Sequence, residues 1–259
     1  LSVAEAYEEK YIGGIFATTN HLSQFSDNVT LLTMIGDKGF NKSKIMPILS
    51  KNIKKIFFEK KNFNTLEKTR YLHKDNNNKL FQKANYNNFQ TTPAIEKKIL
   101  SFLNSNIKKY DLVIVNDFGH GLISKKIKDV IQKKSKFLTL NVQTNSANSG
   151  YNYVSLYRKA NYITLDEPEA RLATQDNSSK SNILFKKILK NTKFKFCSIT
   201  HGKNGTRINN LKKSIFIPVF SDNAVDTVGA GDAYFAITSI FIKHINDLET
   251  IGFVYSNIG

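Results

Sequence analysis

The residue types best suited to chemistry lie in one stretch near the carboxyl end, Asp226-Thr227-Val228-Gly229-Ala230-Gly231-Asp232. An apolar run of strand length, Ile215 to Phe220, precedes this stretch, and a second apolar run, Ala233 to Ile242, follows it. The first N–H groups of a helix have no intrahelical partner and glycine has no Cβ, so this order predicts an anion site at a helix start. Asp232 would repel a bound phosphate unless it took a proton from an attacking hydroxyl. A glycine turn with an aspartate at the helix start is the open alternative.

This stretch resembles the Asp-Thr-x-Gly-Ala-Gly-Asp signature of the PfkB/ribokinase family of carbohydrate kinases. The resemblance implies that Asp232 is the catalytic base and that Gly229, Ala230 and Gly231 form the anion hole for the γ-phosphate of ATP. It also implies that Thr227 contacts the nucleotide. Other stretches follow in the order expected for the family, so the resemblance covers nearly the whole chain. Within the family, the likeness is greatest to the heptose-7-phosphate kinase group, whose kinase domain is often fused to a nucleotidyltransferase.

A glycine pair, Gly13-Gly14, precedes the amphipathic stretch Ile15 to Phe25. It resembles the family element that packs against the sugar. The family usually has an asparagine three residues beyond the second glycine, where this chain has Ala17, and this difference leaves the identity of the sugar open. A plain turn before a helix explains the pair equally well.

The polar segment Asn62 to Tyr86 predicts a small sheet outside the core. The resemblance implies that lid segments near residues 1–14 and 62–90 close over the sugar. Lys68 and Arg70 alternate on one strand, so both could meet one anion, although solvated charges on an edge strand are at least as good an explanation. Asp37 partly resembles the family's Gly-x-Asp-x-x-Gly segment on the substrate side, and a turn is the alternative.

Two further stretches on the substrate side depart from the heptose-phosphate kinase pattern. Asp117 lies in a segment similar to Asp-Tyr-x-Lys-Gly, with His120 in place of lysine. We expect Asp117 to orient a substrate hydroxyl or to help organise the metal, and we interpret His120 as a loop residue. Asn141 stands where Asp-Pro-Lys is typical, and an amide recognises hydroxyls as readily as phosphates. The substrate can therefore differ from the usual one of the group.

The metal and nucleotide residues are expected after two further apolar runs. Asp166 and Glu169 resemble the family's Asn-x-x-Glu, which implies a role in holding Mg²⁺ through its water shell. The same spacing is that of a capping box, and both explanations can hold together. Thr200, Gly202 and Gly205 are similar to the Thr-x-Gly-x-x-Gly that contacts the nucleotide, although a tight turn between strands gives the same pattern.

Short apolar runs alternate with lysine-rich stretches of helical spacing, which predicts a mainly parallel sheet with helices on both faces. The predicted strands are Leu31 to Ile35, Ile53 to Phe58, Leu112 to Val115, Phe137 to Val142, Tyr162 to Leu165, Phe194 to Ile199 and Ile215 to Phe220. Many of the candidates follow one of these runs, and ligands of such sheets collect at the carboxyl ends of the strands. The predicted fold is thus α/β, ribokinase-like with a small β lid, as a single domain over residues 1–259.

Composition limits the function classes. The net charge of +17 comes from scattered lysines that suit outer helix faces, so we expect no nucleic-acid partner. A single cysteine, Cys197, and the lack of a long apolar stretch or signal peptide predict a cytoplasmic protein without membrane contact. The chain does not begin with methionine and ends inside a predicted helix, so we expect a segment of a longer protein.

These patterns together predict a carbohydrate kinase that uses ATP and Mg²⁺ to phosphorylate a sugar or sugar phosphate. The resemblance allows a homodimer through the lid and a fused nucleotidyltransferase domain. The alternative is a kinase-fold module that has lost catalysis and only binds a sugar or nucleotide, because several family positions are replaced, as at Ala17, His120, Asn141, Gln143 and Asp166.

Overall fold

The structure is a computed structural model, and it describes residues 7–40, 42–74, 79–85, 90–145, 148, 150–219, 229–245 and 247–256. Its strands are β1 (Val29–Lys38), β2 (Ile53–Asn64), β3 (Lys68–Leu72), β4 (Lys79–Ala84), β5 (Val113–Asp117), β6 (Leu138–Val142), β7 (Tyr162–Asp166), β8 (Phe196–Thr200), β9 (Thr206–Asn210) and β10 (Ser214–Ile217). Its helices are α1 (Ile15–Ser23), α2 (Lys42–Ile45), α3 (Pro93–Asn106), α4 (Lys125–Lys134), α5 (Glu167–Thr174), α6 (Ser181–Asn191), α7 (Ala230–His244) and α8 (Leu248–Ser256).

A six-stranded sheet in the order β10-β9-β8-β7-β6-β5 forms the centre of the described chain. Strands β5 to β8 run parallel, and β9 and β10 continue the sheet as antiparallel neighbours. Every residue of β6 is buried, as expected for a parallel strand that is covered on both faces. The predicted mainly parallel α/β sheet is confirmed, and the antiparallel β9 and β10 make it a mixed sheet.

Helices cover both faces of this sheet, as predicted. One face packs its apolar side chains against α3, α4, α5 and α6 in a cluster that includes Leu140, Ile163, Ile99, Ile127 and Leu184. The other face packs against α7 and α8 through Tyr162, Phe196, Ile208, Tyr234 and Ile251. Helix α7 is therefore fixed by packing on its buried side, and its first turn lies close to the strand ends described below. Within the described residues, no helix has the length and apolarity needed to cross a membrane.

Strands β1 and β2 form a separate parallel pair, which is not hydrogen-bonded to the six-stranded sheet among the described residues. Met34 of β1 packs into the main apolar cluster instead, so side chains rather than backbone bonds make this junction. At the end of β1, the Asp37 carboxylate accepts N–H bonds from Asn62 at 2.9 Å and from Phe63 at 3.1 Å. These bonds hold the end of β2, from which the chain continues towards β3.

The predicted small outer sheet is present as β3 and β4, an antiparallel pair separate from the two other sheets. Tyr71 and Phe81 lie opposite each other across the pair, with ring centroids 4.3 Å apart and nearly parallel planes. Such cross-strand aromatic pairs stabilise a short hairpin that has little core of its own. We refer to β3 and β4 as the outer hairpin.

Candidate active site

Polar side chains meet where the central strands end. Asn116 of β5 pairs with Asn141 of β6, which in turn pairs with Thr164 of β7. Paired residues of neighbouring strands share a face of the sheet. The Asn116 amide donates to Thr18 Oγ1 of α1 at 3.2 Å and to Asp232 Oδ1 of α7 at 3.5 Å. This row of polar residues therefore lies on the face covered by α1 and α7.

The glycine stretch begins α7, as the sequence predicted. Gly229 is the N-cap residue with φ of 89°, a left-handed conformation that favours glycine. Apart from the chain neighbours and the backbone of α7 itself, no described atom lies within 4 Å of a Cβ built on Gly229 or on Gly231. The first N–H groups of the helix, at Ala230 and its neighbours, thus adjoin open space large enough for an anion to approach. The predicted nucleotide residue Thr227 lies outside the described residues.

Asp232 lies in the first turn of α7, and the Gly14 N–H group is hydrogen-bonded to its carboxylate. Burial raises the pKa of Asp232 above the ordinary value for aspartate. The Gly14 N–H group, His21 and Lys68 act in the opposite direction, because each stabilises the ionised form. The result is an aspartate that binds a proton more readily than an exposed one does, as a general base requires.

The glycine pair brings backbone rather than side chain to this carboxylate. Gly14 has φ of 56°, and a Cβ at this position would come within 3.3 Å of the Phe118 ring. A side chain there would be strained and crowded, so the close approach of the α1 start to Asp232 needs glycine.

The outer hairpin borders the same cleft. Lys68 acts electrostatically on both Asp232 and His120, which places its ammonium group near the base. Lys68 and Arg70 are both exposed and share a face of β3, as the alternation predicted. The site residues predicted from the sequence that line this one cleft are Gly13, Gly14, Lys68, Arg70, Asp117, Gly229, Ala230 and Asp232.

Asp117 is tied into the fold by four contacts. Its carboxylate accepts from the Tyr157 hydroxyl at 2.8 Å, the Gly119 N–H at 3.0 Å and the Asn152 amide at 3.4 Å, and it pairs with Lys128 at 3.2 Å. These partners hold Asp117 in a structural network. Its predicted role towards substrate stays a prediction.

The residue that reaches Asp232 is the neighbouring Asn116, which sequence reasoning did not single out. Successive residues of a strand point to opposite faces, so only one of Asn116 and Asp117 can face α7. The alternation of side chains along β5 was the one sequence signal that could have pointed to Asn116, because the resemblance to the family motif favoured Asp117.

Asp37 and Asn141 are also engaged within the fold. Asp37 binds the backbone at the end of β2, and these N–H bonds lower its pKa, with that of Asn62 contributing most. The Asn141 amide donates to the Thr164 carbonyl at 3.2 Å and accepts from Gln143 at 2.9 Å. Neither residue lines the cleft that contains Asp232, so their substrate roles stay predictions.

Asp166 and Glu169 form the capping box that the sequence predicted at the start of α5. The Glu169 N–H group donates to Asp166 at 2.7 Å, and the Asp166 N–H group donates to Glu169 at 2.9 Å. The Thr144 N–H group adds a bond to Glu169 at 3.3 Å. Burial, reinforced by the charge of Asp166, raises the pKa of Glu169 to about 8.

Two neighbouring carboxylates with raised proton affinity suit a hard divalent cation such as Mg²⁺, which prefers oxygen ligands and often takes only one or two from the protein. Burial also raises the pKa of Asp166. Among the described residues there is no group of three or more histidine, cysteine or acidic side chains that could enclose a metal. The residues present thus fit an ion that keeps waters and substrate oxygens in its shell.

The predicted nucleotide loop follows β8. Thr200 is the last residue of that strand, and Gly202 and Gly205 both have positive φ, of 55° and 86°. A Cβ on Gly205 would come within 2.2 Å of the Ile217 carbonyl oxygen. The loop therefore depends on glycine to turn tightly beside β10.

His201 ties this loop to α5 and α6, a connection that sequence reasoning missed. Its Nδ1 lies 2.7 Å from Glu167 Oε2, and its Nε2 lies 3.0 Å from Ser181 Oγ. Glu167 is also hydrogen-bonded to Arg171. Because Glu167 begins α5, the contact links the position of the loop to that of Asp166 and Glu169, the two candidate metal ligands.

Solved structures identify the fold. Phosphofructokinase-2 from Escherichia coli, in complex with potassium, aligns with a TM-score of 0.74 at 10% identity over 93% of this chain and 77% of its own. Ribokinase from Giardia lamblia aligns with a TM-score of 0.70 at 17% identity over 93% of this chain and 78% of its own. The fold is thus the ribokinase-like α/β fold, as predicted.

Sequence comparison then gives the family. Residues 4–251 match the profile of the pfkB family carbohydrate kinases, and the chain belongs to that family. The predicted class of enzyme, a carbohydrate kinase, is confirmed.

Similar curated proteins include the bifunctional protein HldE of Campylobacter jejuni strain RM1221, 23% identical over 245 residues, which are 93% of this chain and 50% of that protein. HldE of Aliarcobacter butzleri is 27% identical over 250 residues, again 93% of this chain and 50% of that protein. The chain spans about half the length of the curated relatives it matches.

Proposed function

We propose that this chain catalyses the ATP-dependent phosphorylation of a hydroxyl group on a sugar or sugar phosphate. The observation that carries the proposal is the half-buried Asp232 carboxylate in the first turn of α7, beside the Gly14 N–H group. A base with raised proton affinity next to unpartnered helix N–H groups combines the two requirements of phosphoryl transfer to an alcohol, proton removal and charge stabilisation.

In this mechanism, Asp232 accepts the proton of the attacking hydroxyl. The N–H groups of Gly229, Ala230 and Gly231 donate hydrogen bonds to the oxygens of the transferred phosphoryl group, where negative charge develops. Glu169 and Asp166 would hold Mg²⁺, which neutralises phosphate charge when bound. Thr200, Thr227, Gly202 and Gly205 would align the nucleotide, and alignment is the larger part of catalysis in this reaction class.

On the substrate side, Gly13 and Gly14 bring backbone to the sugar, and Lys68 and Arg70 offer two cations on one face of the outer hairpin. Two such cations favour a phosphorylated sugar over a neutral one. This arrangement, together with the similarity to HldE, supports a heptose 7-phosphate or a related sugar phosphate as the substrate. Asp37, Asp117 and Asn141 would shape the pocket behind these groups.

The second candidate function is a sugar- or nucleotide-binding module without catalysis. The observation that favours it is the uncharged pair Asn141 and Gln143, bonded to each other at 2.9 Å where related kinases tend to have charged residues. A panel assay separates the two candidates. ADP formation with individual sugars and sugar phosphates supports the kinase, whereas binding without turnover across the panel supports the module.

The decisive variant in that assay is Asp232→Asn, which keeps the size of the side chain and removes the base. We expect turnover to fall by roughly 10²- to 10⁴-fold, the usual contribution of general base catalysis. Asp129→Asn is the matched control, because Asp129 is exposed on α4 away from the cleft. Turnover of Asp232→Asn equal to that of the control would remove Asp232 from the mechanism.

We further propose that residues 1–259 act as one kinase domain in the cytoplasm, with the outer hairpin as a lid over the sugar and as a contact between two copies. The name bifunctional protein, carried by relatives twice as long, supports a second domain of nucleotidyltransferase type in the whole protein.

A further inference from the structure

Asn116 places a buried amide between the two helices that flank the candidate active site. Only 9% of Asn116 is exposed, and its Nδ2 donates to Thr18 of α1 and to Asp232 of α7. Thr18 is itself fully buried. One side chain therefore connects the carboxylate of the proposed base to both a central strand and the opposing helix.

This amide is poorly explained by packing alone. Burying an amide is costly unless its polar atoms are paired, and Asn116 Oδ1 is buried without a hydrogen-bond partner among the described residues. A leucine has the same branched shape and no polar atoms, so it would avoid this cost. Unpaired buried polar atoms are uncommon in native proteins and call for a functional explanation. The other polar atom of the same amide, Nδ2, lies 3.5 Å from Asp232 Oδ1, which points to a role for the amide beside that carboxylate.

We propose that Asn116 is a positioning residue whose amide N–H group holds the Asp232 carboxylate in place for the substrate hydroxyl. The proposal rests on the proposed function of Asp232 as the base. A neutral donor is suited to this task, because it fixes the carboxylate without the strong attraction of a full positive charge, which would weaken the base. The adjacent Asp117 shows the contrast, since its carboxylate is paired with Lys128 at 3.2 Å.

The other groups that act on Asp232 are known from the structure. His21 of α1 and Lys68 of β3 exert charge effects, and the Gly14 N–H group donates a hydrogen bond. Asn116 adds an uncharged donor from β5. Removal of that donor removes a contact to the ionised form, so the proton affinity of Asp232 should increase while His21 and Lys68 remain.

The test measures the pKa of Asp232 directly by NMR titration of ¹³C-carboxyl-labelled aspartate, with the resonance assigned from Asp232→Asn. In Asn116→Leu we expect this pKa to rise by about 0.5 to 1 unit, and in Asn116→Ser, which keeps a short donor, by less. In a turnover assay, kcat of Asn116→Leu should fall about 10-fold with KM for the sugar nearly unchanged, since the contact matters for proton removal.

Gln132→Leu is the matched control, because Gln132 is also an amide that is 9% exposed, and its bonds lie within α4 and to the backbone of Arg158 and Lys159. It should lose stability without moving the pKa of Asp232.

An unchanged Asp232 pKa in Asn116→Leu overturns the proposal, whether or not the wild type phosphorylates a sugar. If Asn116→Leu does not fold, the same measurement on Asn116→Ala, which also lacks the donor, decides. A wild type without kinase activity contradicts the proposed function, while a raised pKa in the variant would still support the contact.

Discussion

At the scale of single residues, the candidate site depends on carboxylates whose surroundings differ. Asp232 is half-buried beside uncharged donors and is also acted on by the charge of Lys68, whereas Asp117 is buried and paired with Lys128. Glu169 is buried next to a second carboxylate. Burial raises the pKa of both Asp232 and Glu169, and the charge of Asp166 adds to the effect at Glu169.

The raised pKa of Asp232 predicts the pH dependence of the proposed reaction. The base works only when ionised, so kcat/KM should rise with pH through a pKa above 3.8, the ordinary value for aspartate. Measurement of kcat/KM between pH 4 and 8 checks this, with the ionisation of the substrate phosphate titrated separately so that its contribution to the profile can be subtracted. An acid limb at or below the ordinary aspartate value would contradict the assignment.

The raised pKa of Glu169 predicts that the stability of the folded chain depends on pH. Its pKa in the folded state is about 8, against an ordinary value of 4.5, so the folded chain retains a proton that the unfolded chain releases. The free energy of unfolding should therefore fall as the pH rises from about 4.5 to about 8. Glu169→Gln keeps the capping-box geometry and removes the ionisation, so its unfolding free energy should depend less on pH over this window. Urea unfolding at several pH values in the absence of Mg²⁺ tests this, and parallel pH profiles for the two proteins would refute it.

At the scale of secondary-structure elements, much of the fold could be predicted from the sequence. Runs such as Phe137 to Val142 are short, apolar and bounded by polar residues, so they identified strands correctly. Strand β9 has alternating polar residues and was not predicted as a full strand. The separate pairing of β1 with β2 could not be predicted either, because strand order depends on contacts distant in sequence.

The same limit applies to the candidate site. Gly229 to Asp232 and the capping box follow from local pattern, and both lie where the sequence placed them. Asn116 and His201 act through partners about 116 and 34 residues away, and no local pattern contains such contacts. The motif resemblance identified the segment that contains Asn116 and Asp117. Only the three-dimensional arrangement showed that Asn116, and not Asp117, faces Asp232.

Gly205 lies in the predicted nucleotide loop and Gly150 lies outside it, and comparing the two separates the effect of backbone conformation from that of crowding. Gly205 and Gly150 both have φ of 86°, but only Gly205 would bring a Cβ into contact with another atom, the Ile217 carbonyl oxygen at 2.2 Å. Gly150→Ala should cost about 1 kcal/mol of stability from strain alone. Gly205→Ala should cost clearly more, because β10 must move, and it should also weaken ATP binding. Thermal unfolding and nucleotide titration of both variants test this, and equal losses would show that the contact is unimportant.

At the scale of the whole molecule, the exposed apolar side chains of the outer hairpin predict self-association. Leu80 is 51% exposed and Leu72 is 45% exposed, and Phe81, which follows Leu80 and points to the opposite face of β4, is 46% exposed. Grouped apolar side chains on an unpaired hairpin are typical of an interaction surface. Sedimentation should show a dimer, and Leu80→Glu should raise its dissociation constant at least about tenfold. Leu211→Glu is the control, because Leu211 is 66% exposed at the β9–β10 turn. A monomeric wild type would contradict the prediction.

The reciprocal bonds between Asp166 and Glu169 have a consequence for the enzyme between turnovers. Each carboxylate already accepts a main-chain N–H bond, and the raised pKa of Glu169 lets it hold a proton when no cation is present. In the proposed mechanism, departure of the cation with its product would therefore not leave two repelling anions in the protein interior. Helix α5 would keep its first turn while metal and nucleotide leave.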